Sequence, residues 1–575
     1  MPNQKIHERV HKKTGITGKK FIFLLIICLI FLIVQFLPFN FIINFSHDDA
    51  FFYIKTSYNF SGGMGSTFDC INPTNGYHPL YFLCLSVILF PLNFLKNTTP
   101  ELVYRIVFFF HVLLIFIISH YLNKCYKLLL QKNTSGCFPN KNQKENIKTA
   151  EQTINTEQNY KYKKTVVFSF VLIFCFVFSR DIGLESHISI LLISVLIYLT
   201  LSEKVNGKII IVKSLFLSLL YLSRTDYLYN IIPLYIIGDI LFLHNKTTIN
   251  TNSDSIKKVL YKIFIYMAAI LITATIYSGI NYFYFGHTYT ISTLILNTFP
   301  KVVIENNISS LLSGNEKIFN QFTRLVILLS VNIILFYVVI KKRYSVNTDK
   351  RICLFMFLLC VGCTLFAVTH LFFNSLGIRE WYMTLPIFLS IFFTIYLFKN
   401  TIEKSRLIFT AVIFFCVFYL LETRILNYKF NNVIEYSKKV KSVTNENDNI
   451  YQVDFSGITG FFSERKIING DGLINSFEYT SYIVTGRLKN YFEEKQINYY
   501  STYLSGENNN KNQNFREIKN IYKNRYKFEI TKTSRNNNDN NIVIIMPFDY
   551  THAVINPKGV WLLLKTEDME ISETD

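Results

Sequence analysis

Asp48 and Asp49 stand side by side just beyond the first apolar run of this chain, residues 21–43. A carboxylate within hydrogen-bond reach of a hydroxyl can take its proton while the oxygen attacks an electrophilic carbon. A second carboxylate beside it raises its basicity by like-charge repulsion or shares a metal ion with it. Acids at a membrane exit are costly unless they have such work; the alternative is a solvated helix cap. Arg224-Thr225-Asp226 and Arg379-Glu380-Trp381-Tyr382 set cations beside acids and aromatic rings. A guanidinium fork suits a phosphate group, and Tyr53, Trp381 and Tyr382 offer faces for a sugar ring. For each arginine the alternative is an internal ion pair, with Asp226 or with Glu380. His78, at the end of Asn75-Gly76-Tyr77-His78-Pro79, can touch a phosphate or a sugar, or serve the fold alone. Glu185, in Arg180-Asp181-Ile182-Gly183-Leu184-Glu185-Ser186-His187, reads on its residues alone as a helix cap on a short turn.

The elements that must position these residues are mostly apolar runs. The chain is 50% hydrophobic and only 17% charged, where soluble domains carry about 25% charged residues. Its repeated apolar runs predict a polytopic α-helical membrane protein. The run at 21–43 is too long for a signal-peptide core and no small-residue cleavage site follows, so a retained span is expected. The net charge of +20 is spread over short linkers, which suits topology control and argues against a nucleic-acid face. Cysteines lie mostly inside apolar runs (Cys28, Cys175, Cys353, Cys360, Cys416), with none after residue 422. That is no disulfide framework, and Cys360-x-x-Cys363 reads as a pair of small apolar residues.

Eleven spans are expected, at 20–45, 102–122, 165–179, 188–201, 208–223, 228–243, 259–281, 319–340, 352–372, 382–398 and 407–421. The run 79–95 is short and interrupted by Pro91, and parity decides its course. If it crosses fully, the linker 123–164, with nine Lys against three Glu, falls outside. If it dips into the outer leaflet and returns, the tail 1–19 and the linkers 123–164, 202–207, 244–258, 341–351 and 399–406 all lie inside. Those segments hold about 25 Lys and Arg, against about seven on the opposite side as far as residue 382. The positive-inside rule favours the dip. Non-helical backbone is tolerable there under cover of protein or beside a water-filled cavity. This parity gathers Asp48, Asp49, Glu185, Arg224, Asp226, Arg379 and Trp381 on one outer face. The linker 123–164 and the stretch 506–515 read as disordered.

After residue 421 the chain becomes polar, with strand-length apolar runs at 450–453, 497–503, 528–531 and 542–546 and a helix expected at about 476–495. This predicts a small α/β domain at 422–575 with a loose acidic tail.

The loop from Asp48 to Pro79 runs through Ala50, Phe51-Phe52-Tyr53, Asn59, Gly62-Gly63-Met64-Gly65, Thr67-Phe68-Asp69, Asn72-Pro73 and Gly76-Tyr77-His78-Pro79. That order resembles the first external loop of GT-C glycosyltransferases, closest to the bacterial branch that includes mycobacterial cell-wall arabinofuranosyltransferases. Gly183-Leu184-Glu185 resembles an element of the same branch. So do Gly457, Gly460-Phe461-Phe462 and Asn469-Gly470-Asp471-Gly472-Leu473-Ile474-Asn475. The resemblance spans residues 20–240 and 370–500; 282–318 and 500–575 match nothing, and 123–164 is longer than the family leads one to expect. It implies a multi-pass inverting transferase in a bacterial inner membrane, with site and C-terminal domain extracytoplasmic. The donor would be a sugar on polyprenyl phosphate, and the acceptor a glycan, lipid or protein. Asp48 or Asp49 would be the base and Arg224 and Arg379 would hold the phosphate. Tyr53, His78, Glu185, Asp226 and Trp381 would line the substrate, while Asn469, Asp471 and Asn475 bind acceptor or close a turn. No nucleotide cofactor is expected, since no GxGxxG-like site is present; a divalent cation is left undecided. The rivals are a lipid or solute transporter, which would want charges or broken helices at the bilayer midplane, and a non-catalytic envelope-assembly scaffold.

Overall fold

The computed structural model describes residues 25–134, 181–202, 207–244, 253–302, scattered positions between 326 and 340, 350–375, 378–404, 430–505, 516–521, 526–532, 542–549, 558–566 and 569–573. The expected spans at 165–179 and 407–421, most of 319–340, Arg180, most of the linker 123–164 and the stretch 506–515 lie outside them.

The first apolar run is broken. Helix α1 (Leu25–Phe36) meets the helical segment Phe39–Phe45, which begins with α2 (Phe39–Ile42), at 103°. Pro38 is the cause: it has no N–H to donate and its ring disfavours helical Leu37. Arg105 Nη1 donates to the freed carbonyls of Val34 at 2.8 Å and Leu37 at 2.9 Å. Helix α3 (Asp48–Ser61) follows, then α4 (Pro79–Leu89). At 1.5 Å per residue, α4 is roughly 16 Å long, about half a hydrocarbon core.

The remaining described helices of this half are α5 (Pro100–Thr134), α6 (Ser186–Leu201), α7 (Gly207–Ser223), α8 (Ile231–His244), α9 (Ser253–Phe285), α10 (Ile291–Leu296), α11 (Lys350–Phe373) and α12 (Thr384–Lys404). The described chain is mostly helical, and α5, α9 and α11 are long and apolar enough to cross a membrane. A fourth span results if the bent pair counts as one. Helices α6 and α8 and the stretch Trp381–Tyr396 are apolar but shorter. Cys360 and Cys363 are buried on α11 as packing residues.

The C-terminal part runs α13 (Asn431–Val443), β1 (Asn449–Gln452), α14 (Ser456–Ser463), β2 (Lys466–Asn469), α15 (Phe477–Val484), α16 (Leu488–Glu494) and β3 (Ile497–Ser505). Strands β4 (Arg516–Ile521), β5 (Tyr526–Lys532), β6 (Ile542–Asp549), β7 (Lys558–Lys565) and β8 (Met569–Glu573) complete it. One sheet has the order β2-β1-β3-β7-β6, with β1 parallel to β2 and β3 and the rest antiparallel; the other is β4-β5-β8. Two expectations are corrected. The helix at 476–495 is two helices, because Gly486 turns left-handed at φ 67° between them. The acidic tail is not loose throughout: Met569–Glu573 pairs antiparallel with β5, following the period-two alternation of Met569-Glu570-Ile571-Ser572. One buried core runs from α4–α8 through Phe51 of α3 to Ile458 and Phe461 of α14 and Trp561 of β7, and a second, smaller one, with Tyr451, Tyr479 and Tyr491, lies within the C-terminal part.

Candidate active site

Asp48 and Asp49 occupy the first turn of α3, where the positive end of the helix dipole favours carboxylates. Adjacent helical residues leave the axis about 100° apart, so the two acids face different neighbours. Asp49 lies within electrostatic reach of Arg379 and Glu185. Burial pushes its carboxyl above the usual carboxylate range, Arg379 pulls it back and Glu185 adds repulsion. Asp48 accepts from the Ile458 N–H at 2.8 Å and the Gly457 N–H at 3.3 Å, both on α14. Burial pushes it to about 8 against those two bonds, with Asp49 and Asp471 adding repulsion.

One turn beyond Asp49, the Tyr53 hydroxyl accepts from the His78 backbone N–H at 3.2 Å and faces Glu185. Glu185 is delivered by the turn before α6, which bridges to the chain just ahead of α3: Ile182 N donates to Phe45 O at 3.1 Å. Gly183 sits there at φ 89°, and a Cβ on it would lie 2.6 Å from that of Ala50. The small residues at 50 and 183 let Glu185 approach. Glu185 accepts from Arg224 Nη1 at 2.9 Å, with His78 Nε2 at 3.8 Å. Burial holds His78 below its ordinary value despite Glu185, so it presents a neutral imidazole at pH 7.

Arg224 turns the rest of its fork to Asp226, with Nε at 3.2 Å and Nη2 at 2.8 Å. Its guanidinium lies 4.5 Å from the Tyr382 ring centre. The internal ion pair weighed for this arginine is therefore the geometry found, with Glu185 as a second partner. Arg379 lies 5.9 Å from the Trp381 ring centre, and Trp381 in turn is 4.9 Å from His47.

Every position expected from the sequence thus falls in one connected group. His370 of α11, with Nε2 3.0 Å from Asp226 Oδ2, joins it without having been singled out. A histidine at the end of an apolar run was its only sequence signal. Asp471 also belongs. Its carboxylate accepts from Leu473 N at 2.9 Å, and burial, with repulsion from Asp49, pushes it to about 7. Asn469 and Asn475 close the turn: Asn469 Nδ2 donates to Ser456 Oγ and Asn475 Nδ2 to Asn469 O, each at 2.8 Å. The two loop motifs interlock here, since a Cβ on Gly76 would lie 1.8 Å from Leu473 O.

Among the described residues no group of three or more His, Cys, Asp or Glu side chains is arranged to hold a metal ion. The arrangement is one of half-buried carboxylates beside a cation and aromatic faces. It can take a proton from a hydroxyl and steady an anion nearby. No family model and no curated protein matches this chain.

Proposed function

We propose that this protein is a membrane glycosyltransferase of the GT-C type, moving a sugar from a polyprenyl-phosphate donor to an extracytoplasmic glycan, lipid or protein. The observation that carries the reading is an Asp carboxylate within electrostatic reach of Arg379, itself beside Trp381, at the start of a helix whose loop has the GT-C order. The acceptor oxygen attacks the anomeric carbon and its proton passes to a carboxylate of the Asp48–Asp49 pair. The carbon–oxygen bond to phosphate breaks, with its electron pair leaving on the phosphate. Arg379 steadies that anion, Trp381 and Tyr53 flank the sugar, and Arg224 holds Glu185 and Asp226 in place. About eleven spans in a bacterial inner membrane, with 79–95 dipping and returning, put this group and the C-terminal domain outside. Helix α4 runs on as a 3-10 turn to Phe94, and this 16-residue apolar segment, shorter than a full span, supports that course. The test is a panel of radiolabelled polyprenyl-phosphate hexoses and pentoses presented to purified protein in liposomes. Transfer of label out of the lipid phase is expected for one donor, and label retained on every donor overturns the reading.

The transporter reading draws on one observation of its own. Lys213 of α7 and Lys262 of α9 each lie 2.6 Å from Asp239 of α8, buried among helices. Charge in such a place can mark an ion pathway.

A further inference from the structure

We infer that the adjacent acids divide the work, Asp49 being the base and Asp48 a positioning residue that clamps the C-terminal domain onto the site. The inference rests on the proposed transferase and deepens it.

Helix α3 has two working faces. Asp48, Phe51 and Lys55 are three and four residues apart and lie on one of them. Phe51 packs its ring 5.5 Å from those of Phe461 and Phe462 of α14. The residue before α14, Phe455, has no side-chain oxygen to cap its first amides. Such orphan donors need an acceptor. Asp48 supplies it to Gly457 and Ile458, from 409 and 410 residues away in sequence. At the other end, Lys55 Nζ donates to Gly460 O at 2.7 Å and Arg465 O at 2.8 Å. Acceptor oxygens at the amino end and a lysine donor at the carboxyl end satisfy free backbone groups of α14 at both termini. The contact is close: a Cβ on Gly457 would lie 2.4 Å from Asp48 O. Phe455 and Glu464, on either side of α14, hold left-handed φ values of 56° and 53°. For non-glycine residues such strain persists only where surrounding contacts over-determine it.

Asp49 and Tyr53 share the other face, toward Glu185, His78 and Arg379. Asp48 has both oxygens engaged with the domain, whereas Asp49 faces the cation. The clamp also delivers chemistry. Helix α14 leads into β2 and the turn that carries Asp471, so holding α14 against α3 sets Asp471 beside Asp49. The domain is then a wall of the site.

The test uses the full-length protein in liposomes, with two readouts: label transfer from the polyprenyl-phosphate panel, and backbone amide exchange across residues 456–463. Asp49→Asn should lose transfer by at least about 100-fold with amide protection unchanged. Asp48→Ala should lose transfer and, at Gly457 and Ile458, about tenfold or more of protection together. Asp48→Asn, which keeps an oxygen that accepts an amide, should restore much of both. Lys55→Met should also raise exchange in α14, without touching either acid. Asp48→Asn losing as much transfer as Asp49→Asn, with α14 still protected, would overturn the division. If the wild-type protein transfers no label, the transferase reading falls. The clamp is then judged by exchange alone, and equal protection in Asp48→Ala and wild type would overturn it.

Discussion

Among the described residues two clusters of buried charge stand out, and they differ in what they leave unspent. In the first, Asp239 accepts from Lys213 and Thr200 on one oxygen, at 2.6 and 2.8 Å. Its other oxygen takes Tyr266 at 2.9 Å and Lys262 at 2.6 Å. The Asp239 side chain is 0% exposed and its lysine partners 4% and 7%. In the second, around Asp49, Asp226 is 28% exposed although its partner Arg224 is only 3% exposed. Burial of charge alone does not mark a site, because a buried ion pair can serve structure or nothing measurable. A group that holds charge and still reaches solvent can meet a substrate. By that criterion the Asp239 cluster is a knot between helices and the Asp49 cluster is the better candidate for a site.

The largest effect expected from this contrast is on stability. Asp239→Ala strands two ammonium groups among helices and should cost about 3–5 kcal/mol, read as loss of thermal stability in detergent. Replacing Lys213, Asp239 and Lys262 together by apolar residues of similar volume should restore most of it, with transfer retained. Loss of function in a stable triple variant would instead make the knot a working site and favour the transporter.

In the other cluster, Arg379→Gln should raise the donor KM at least about tenfold, since losing a charge-assisted contact to an anion typically costs about 2–5 kcal/mol. Arg379→Lys should recover part of it, because an ammonium lacks the planar fork. Arg224→Gln should instead lower the yield of folded protein, since it leaves Glu185 and Asp226 without their common cation. Donor titration on purified variants separates the two arginines, and an unchanged donor KM in Arg379→Gln removes it from the phosphate.

A smaller effect concerns pH. The base must be ionised, so the rate falls as pH drops through the Asp49 pKa, which burial places above the ordinary carboxylate range. Arg379 lowers that pKa, so Arg379→Gln should move the acid limb of the pH–rate profile to higher pH. A limb that stays put would mean that another group sets it. Topology gives the mildest readout. Single cysteines near Asn97 and Asn142, in a background cleared of exposed thiols, should label from outside only at 97. External labelling at 142 would make 79–95 a full crossing.

Much of the site was legible because its residues carry charge in linkers where charge is costly. The loop order pointed to Asp48 and Asp49 as a cooperating pair, and their placement on different faces of α3 came only from the structure. What each one meets was not legible, because the partner of Asp48 is a backbone end on α14, and backbone amides leave no trace in composition. His370 was hidden for a similar reason, being one polar residue at the close of an apolar run. In the fold, the apolar runs located the helices, while the break at Pro38 and the division at Gly486 turned on single residues inside stretches that read as continuous. The strand in the acidic tail was masked by its charge, since alternation was weighed less than polarity.

The interlock of Gly76 with Leu473 and of Asp48 with α14 also has a temporal side. Helix α3 precedes its partner α14 by some 400 residues of synthesis. At about 5–20 residues per second, roughly 20–80 s of synthesis separate them. Through that interval Asp48 stands without the amides it accepts from in the folded protein. The contact between α3 and α14 therefore forms only after all the intervening helices have been made.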